Sequence, residues 1–252
     1  MAYTAIDNPE AYFQVVTWTG NATDDRTITL PGDTDMQPDL VWAKERSSTS
    51  GHIIVDAVRG ATKFIQSHNT TAEDTNADIV QSFETDGFEI GTHGAINEDT
   101  ETYVAWCWKA GTSFSNDASA TSVGSIDSSG SINTTAGISI MKYTGATGAQ
   151  SYAHGLSAVP EFIIIKNLDS TETWRVYHSF NTAAKYMKLN TADAVVDDTG
   201  SFSDITPTSA LVYCGGDDGT MHNAEDHIAY IFAPKQGFSK FGSYTGNGDA
   251  DG

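Results

Sequence analysis

Two histidines, His222 and His227, flank the acidic pair Glu225-Asp226 in the last part of the sequence. Imidazole and carboxylate groups are common zinc ligands, so this cluster is the first place to look for metal chemistry. However, His227 begins a hydrophobic stretch that has the pattern of a β-strand, and Tyr103 occupies the matching position of a related stretch. We therefore predict structural histidines near the start of a strand, and no metal site.

Acidic turns could hold calcium at two further places. The segment Asn247 to Gly252 has Asn, Asp and Asp at alternate positions before a glycine, which is the first half of a calcium-binding loop. It belongs to a motif whose other copies lack these acids, so an ordinary turn is the prediction. Asp217-Asp218-Gly219 is a shorter acidic turn with the same calcium-binding alternative.

Catalysis by carboxylates or by a serine nucleophile has little basis in the sequence. Glycoside hydrolysis needs two acidic groups at a set separation, but the 33 Asp and Glu residues offer too many pairs to select one. The acids that recur between related stretches, such as Asp39 and Glu161, flank strands, where charged residues are common. No G-x-S-x-G sequence is present. We predict no catalytic residue, no metal and no cofactor.

The tryptophans could form a platform on which a sugar ring stacks. Trp18 aligns with Tyr143 and Trp42 with Ile164 in a related stretch, which is how core positions vary. Trp174 follows a polar loop, and it is therefore the candidate for glycan contact.

An internal duplication organises the chain. Tyr103-Val-Ala-Trp-Cys-Trp108 is repeated as His227-Ile-Ala-Tyr-Ile-Phe232, and side chains alternate between the two faces of a strand. One face carries Val104, Trp106 and Trp108, matched by Ile228, Tyr230 and Phe232. We predict that this large, aromatic face fills the core of each unit.

Three further motifs recur in the same order. They are Thr17–Gly20 with Lys142–Gly145 and Ser243–Gly246, Pro38–Lys44 with Pro160–Lys166, and Asp56–Lys63 with His178–Lys185. The sequence is therefore two related units and the start of a third.

Each cysteine occupies a position at which the other unit has isoleucine. Cys107 aligns with Ile231, and Cys214 aligns with Ile90. Because a bridging sulfur could not be exchanged for isoleucine without loss, we predict reduced, buried cysteines in separate units.

Short alternating strands separated by Gly-rich turns predict an all-β protein with two tandem, jelly-roll-like β-sandwich repeats. Asn8 and Pro9 predict one helical turn before the first strand. The predicted boundaries are an N-terminal attachment segment (1–15), the first repeat (16–111), a Ser/Thr/Gly-rich linker (112–136), the second repeat (137–242) and the start of a third repeat (243–252).

Charge and hydropathy exclude several classes of partner. The formal net charge is −20, which disfavours binding to nucleic acid. The first twenty residues contain no Lys or Arg and no apolar core segment, so we expect no signal peptide. No apolar run approaches the length of a membrane span.

The repeated motifs resemble a repeat domain in virion proteins of marine tailed phages. The resemblance rests on the Tyr/Trp-Thr-Gly and Pro-x-Leu/Phe-Val/Ile-x-x-Lys motifs, on Val58–Lys63 and on Tyr103–Gly111, and it covers nearly the whole chain. The second unit departs from it at Phe232–Lys235 and lacks the Arg-Gly turn.

The resemblance implies a structural virion protein, assembled in the host cytoplasm, that acts as a tail fibre or appendage. As a spacer and host adhesin it would contact other virion proteins and host surface glycan, and analogy with phage fibres implies a homotrimer. Binding would then use loops such as Glu45–Gly51 and Leu168–Thr173. The alternatives are a capsid decoration protein and a glycan-degrading tail spike.

Overall fold

The computed structural model describes residues 4–249, and these residues form antiparallel β-sheets joined by turns and by helices of a single turn. The strands are β1 (Phe13–Thr19), β2 (Arg26–Thr29), β3 (Leu40–Glu45), β4 (His52–Asp56), β5 (Lys63–Phe64), β6 (Asp74–Thr75), β7 (Val80–Glu84), β8 (Gly87–Ile90), β9 (Thr102–Trp108), β10 (Thr112–Asn116), β11 (Ser128–Asn133), β12 (Ile138–Thr144), β13 (Gln150–Ala153), β14 (Phe162–Asn167), β15 (Arg175–His178), β16 (Lys185–Lys188), β17 (Val196–Asp197), β18 (Leu211–Cys214) and β19 (Asp226–Phe232). The α-helices are α1 (Gly94–Asn97), α2 (Ala118–Thr121), α3 (Thr199–Phe202) and α4 (Asp218–Met221), and 3-10 turns cover Pro9–Ala11 and Ser179–Asn181. The prediction of an all-β protein is confirmed.

The two large sheets contain the same strand order. The first sheet runs β1-β9-β3-β4, and the second contains β12-β19-β14-β15 in the equivalent positions. The registers agree as well, because Phe13 pairs with Trp108 at one end of β1, and Ile138 pairs with Phe232 at the matching end of β12. The segments that repeat in sequence therefore occupy equivalent positions in space.

A smaller sheet covers one face of each large sheet. The sheet β2-β8-β7 packs on the first large sheet, and the pair β13-β18 packs on the second. The buried side chains between them form the first core, which includes Trp18, Phe88 and Tyr103. The corresponding second core includes Tyr143 and Tyr177.

The prediction that the large aromatic face fills the core of each unit is wrong for both β9 and β19. Tyr103, Ala105 and Cys107 are completely buried in that core, whereas Trp106 and Trp108 on the opposite face are only half-buried. Ala105 and Cys107 fit inward beside Tyr103 because the smaller sheet contributes its own large side chains, such as Phe88, to that space. The size and aromatic character of the side chains on β9 therefore did not indicate which of its faces the smaller sheet covers.

The opposite faces of the two large sheets pack against each other. Their buried side chains form a third cluster, here called the seam core, to which both units contribute: it includes Leu40, Ile54, Ile164, Val176, Ile228 and Tyr230. Consequently β19 is buried on both faces, with Ala229 and Ile231 in the second core. The layers alternate as small sheet, large sheet, large sheet and small sheet.

A buried ion pair lies within this seam. Arg59 Nε is 2.6 Å from Asp56 Oδ2 in the first unit, and Tyr230 Oη of the second unit donates to the same carboxylate oxygen at 2.7 Å. Glu73 accepts a further hydrogen bond from Arg59 at 3.2 Å. Burial alone lowers the pKa of Arg59, but the nearby charges outweigh it and raise the pKa above its ordinary value. The guanidinium therefore stays charged between the two units.

The repeated Thr-Gly motif has a steric explanation in both units. A Cβ atom on Gly20 would lie 1.9 Å from the carbonyl oxygen of Glu98, and one on Gly145 would lie 2.1 Å from that of His222. In each unit this glycine follows the first strand and meets the segment before the last strand. Only glycine permits so close an approach of the two backbones.

The repeated lysine also has one role in both units. Lys166 Nζ donates to the carbonyl oxygens of Asn167 at 2.6 Å and Ser170 at 3.2 Å. Lys44 Nζ donates to the carbonyl of Glu45 and, at 3.2 Å, to that of Ser48. Each lysine therefore holds the loop that follows its own strand.

Residues 112–136, for which we predicted a linker, instead contain β10, α2 and β11. β10 pairs with β11 and β11 with β12, so the segment extends the second large sheet by two strands. Gly130 lets the strands approach, since a Cβ there would lie 1.9 Å from the carbonyl oxygen of Ile140. A polar composition concealed these strands because backbone hydrogen bonds do not require apolar side chains.

The N-terminal helical turn is confirmed. Asn8 caps the Pro9–Ala11 turn by accepting a hydrogen bond from the backbone N–H of Glu10. The predicted start of a third repeat reaches residue 252, and its last three residues lie outside the described part of the chain. Within the described part, residues 240–249 contain no strand, and Tyr244 is 94% exposed.

We expect that Gly20→Ala and Gly145→Ala each lower the free energy of unfolding by about 1–3 kcal/mol, because the added methyl group forces two backbones apart. Urea denaturation followed by circular dichroism measures the change. Gly246→Ala is the matched control, since it lies in the third copy of the motif and a Cβ there meets no atom within 4 Å. A loss at Gly246 equal to that at Gly20 would contradict the steric explanation.

Replacement of Arg59 by methionine should lower the free energy of unfolding by about 3–5 kcal/mol, because the buried Asp56 carboxylate loses its counter-charge. Tyr230→Phe should cost about 1–3 kcal/mol, since it removes one hydrogen bond from the same carboxylate. Lys63→Met is the control: its ion pair with Glu73 is partly exposed, so its loss should cost less than about 1 kcal/mol. Equal effects for the arginine and lysine variants in the same urea experiment would count against a role for the seam.

Candidate functional site

Trp174, the predicted glycan contact, is completely buried and cannot touch a ligand at the surface. Its indole Nε1 donates to the carbonyl oxygens of Gln66 and Asn69, both at 3.1 Å. Its backbone N–H donates to Asn190 Oδ1 at 3.2 Å. Trp174 therefore connects the second unit to a loop of the first, and its role is to fix the position of both.

The histidine and acid cluster is structural. His227 is fully buried, and its ring stacks on Tyr143 with 5.2 Å between ring centres. Glu225 accepts hydrogen bonds from Asn167 at 2.6 Å and Ser170 at 2.8 Å, and it lies 3.1 Å from His222 Nδ1. Burial alone would raise the pKa of Glu225, but these hydrogen bonds and the neighbouring histidines lower it. The carboxylate thus serves to hold the 167–170 loop.

The acidic turns have structural roles in the described residues. Asp217 caps α4 and pairs with Arg175 at 2.9 Å. Asn247 accepts a hydrogen bond from the backbone N–H of Asp249, which makes a local turn, while the remaining positions of that calcium pattern lie outside the described residues. Within residues 4–249 no group of three or more His, Cys, Asp or Glu side chains is arranged to hold a metal ion.

The recurring acid Asp39 also supports the backbone. Its Oδ2 accepts a hydrogen bond from the N–H of Ala110 at 2.8 Å, just after the last strand of the first unit. Burial raises the pKa of Asp39 above its ordinary value. The charge of Asp56 also raises this pKa, but Asp56 is completely buried and paired with Arg59. A buried, ion-paired carboxylate cannot reach a sugar at the surface, so this pair gives no support to glycoside hydrolysis.

The two loops proposed for binding differ in how firmly they are held. In Leu168–Thr173, the side chain of Asn167 accepts hydrogen bonds from the N–H groups of Asp169 and Ser170, and the seam covers Leu168. In Glu45–Gly51, residues 46–49 are exposed. The first-unit loop therefore presents more free surface than its counterpart.

Three of the concave regions in the described part of the chain differ in chemistry. A polar cleft of about 730 Å³ lies beside β11 and β12, with Asp127 and Lys142 among its lining residues. An apolar cavity of about 270 Å³ opens at the seam and is lined mainly by aromatic side chains, including Phe162 and Phe232. The third region is a cleft of about 480 Å³, also at the seam, which has both aromatic and polar walls.

This third region, here called the Trp42 cleft, is the candidate site. The first unit contributes Trp42, His52, Ser67 and His68, and the second contributes residues 189–192. Its walls combine an indole ring, imidazoles, a hydroxyl and an amide. Such a mixture of one aromatic surface with a few polar groups is typical of small-molecule binding sites.

Two strands of the first sheet and the segment after β16 of the second sheet position the Trp42 cleft. Trp42 lies on β3 and His52 on the adjacent β4, and the indole Nε1 donates to His52 Nδ1 at 3.0 Å. His68 packs over Gly51, where a Cβ would lie 1.8 Å from the imidazole Cε1. No signal in the sequence marks this site, because Trp42 aligns with a core isoleucine and no local motif connects it with the second unit.

Both cysteines are free and buried, as predicted. Cys107 lies in the first core and Cys214 in the second. Burial raises the pKa of the Cys107 thiol above its usual range and that of Cys214 to about 12. Neither thiol is therefore available as a nucleophile at neutral pH.

We expect the native protein to show no reactive thiol toward Ellman's reagent at pH 8, because both sulfurs are protonated and shielded. Unfolding in guanidinium should expose both thiols. Absorbance at 412 nm counts the reacted groups before and after denaturant. Rapid reaction of either cysteine in the native protein would contradict the burial described here.

Together the fold and the seam define an all-β protein with two units of matching strand order, joined face to face. The chain belongs to the family described as a domain of unknown function (DUF7483), which matches residues 8–252. No curated protein and no solved structure matches it. No helix in residues 4–249 has the length and apolar character needed to span a bilayer.

Proposed function

We propose that this chain is a non-enzymatic structural component of a tailed-phage virion, a tail fibre or appendage that acts as spacer and host adhesin. The observation that supports it best is the seam core, which joins two units of matching strand order into one body. A protein that transmits contact between a particle and a surface needs such stiffness. The resemblance of the repeated motifs supports the virion location.

The proposal includes the tandem architecture. We infer that the chain consists of two jelly-roll-like β-sandwich repeats, each made of one large and one small sheet around its own core. The equivalent strand pairings support a common origin of the two units. Their exposed loops differ in sequence, which suits a scaffold that carries variable contact surfaces.

We further propose that its partners are other virion proteins, copies of itself in a trimer and host surface glycan. The net charge of −20 supports the exclusion of nucleic acid from this set. The acidic surface also keeps the isolated protein soluble.

Immunogold labelling of purified particles tests the proposed location, and we expect label along the tail or its appendages. The antibody is raised against the purified chain, and particles treated with pre-immune serum are the control. Label on the head would change the role to capsid decoration. Absence of label from intact and disrupted particles would reject a virion role.

An adsorption experiment tests the proposed activity. The purified chain should adsorb to cells of the host without releasing oligosaccharide, and heat-unfolded protein is the control. Adsorption is measured by depletion of protein from the supernatant, and release is measured as new reducing ends. A steady release of reducing ends would show that the protein is a depolymerase.

A further inference from the structure

The Trp42 cleft combines an aromatic ring with uncharged hydrogen-bonding groups from both units. Trp42 is half-buried, so part of its indole ring is open to the cleft. The volume of about 480 Å³ falls within the range of roughly 300–1,000 Å³ that is usual for ligand sites. The cleft is large enough for a small organic ligand, and its composition indicates which kind.

Several polar groups of the cleft have no partner in the described part of the chain. Since His52 Nδ1 accepts the Trp42 N–H, the neutral imidazole carries its proton on Nε2, which is left as a donor. Asn190 uses its Oδ1 to accept from Trp174, which leaves the Nδ2 amide group as a donor. The Ser67 hydroxyl also makes no hydrogen bond within residues 4–249. These groups can serve an uncharged, hydroxyl-rich ligand.

The charge of the cleft argues against an ionic ligand. Its lining residues include no Lys, Arg, Asp or Glu. Burial is the main cause that lowers the pKa of His52, so this imidazole is neutral at pH 7. A phosphate or carboxylate would find no fixed counter-charge here, and the net charge of −20 repels anions.

The walls of the cleft are held in place before any ligand arrives. Trp174 binds the carbonyls of Gln66 and Asn69, which flank Ser67 and His68 on one wall. The same tryptophan donates through its backbone to Asn190 on the other wall. One buried residue therefore fixes both sides of the opening, and a rigid site loses little entropy on binding.

We propose that the Trp42 cleft binds a neutral carbohydrate, with a sugar ring packed on Trp42 and its hydroxyl groups bonded to His52, Ser67 and Asn190. The apolar face of a sugar ring suits the indole, and its hydroxyls suit the three free polar groups. This inference rests on the proposed adhesin function and assigns its glycan to a site that neither unit forms alone.

The first test is an oligosaccharide array probed with the purified full chain, followed by calorimetric titration of the strongest neutral oligosaccharide. We expect neutral glycans to bind and heparin-derived sulfated oligosaccharides not to bind. Binding restricted to the sulfated probes, or no binding to any neutral probe, would overturn the proposal.

The second test uses variants in that titration. Trp42→Leu should weaken affinity by about tenfold or more, because an aromatic anchor contributes above about 1.4 kcal/mol. Trp106→Leu is the matched control, since Trp106 is also half-buried, lies opposite Trp42 in the register and does not line the cleft. Equal losses for the two variants would place the site elsewhere.

A third variant tests the site with a conservative change that should not disturb folding. Asn190→Asp keeps the Oδ1 acceptor for Trp174 and removes the amide donor, so the walls should stay in place while affinity falls by about threefold or more. Native circular dichroism and thermal stability verify the fold of each variant. Unchanged affinity for a folded Asn190→Asp protein would remove this residue from the site.

The outcomes separate the site from the proposed function. If the chain is present in particles but binds no neutral glycan, the cleft proposal fails and the virion role stands. If it binds a neutral glycan through Trp42 but is absent from particles, the site stands and the virion role fails.

Discussion

The packing of two sheet faces at the seam is the constraint on which the rest of the structure depends. The β19 strand is buried on both sides, and its Tyr230 reaches the Asp56–Arg59 pair of the other unit. A charged pair in such a place is costly unless every partner is present. Because atoms from both units complete the group, the relative position of the units is specified as well as stabilised.

The duplicated units meet this constraint in different ways. His52 and Trp174 stand four residues before the matched positions Asp56 and His178, yet His52 lies at an open cleft while Trp174 is buried beneath the neighbouring loop. Equivalent positions therefore give a surface group in the first unit and a seam anchor in the second. The cleft therefore exists only where the two units meet.

Other repeated residues kept one role in both units because the backbone demands it. Gly20 and Gly145 sit where a side chain would collide with a carbonyl group, and Lys44 and Lys166 hold the loop that follows their strand. These requirements are local to each unit. These local requirements do not depend on which residues pack against the seam face of each large sheet. The glycine and lysine motifs are therefore the same in both units, while the seam residues differ.

The sequence by itself determined the all-β class, the equivalent strands, the buried free cysteines and the capped turn at Asn8, since alternation, repetition and capping are local properties. The tertiary structure decided which face or segment packs against which, and local sequence patterns do not contain that information. It turned Trp106 away from the first core, buried Trp174, and recruited residues 112–136 into the second sheet. Each of these outcomes depends on which surface packs against which, and a strand with two apolar faces does not specify that choice. The Trp42 cleft escaped prediction for the same physical reason, because its two walls are far apart in sequence and meet only through the seam.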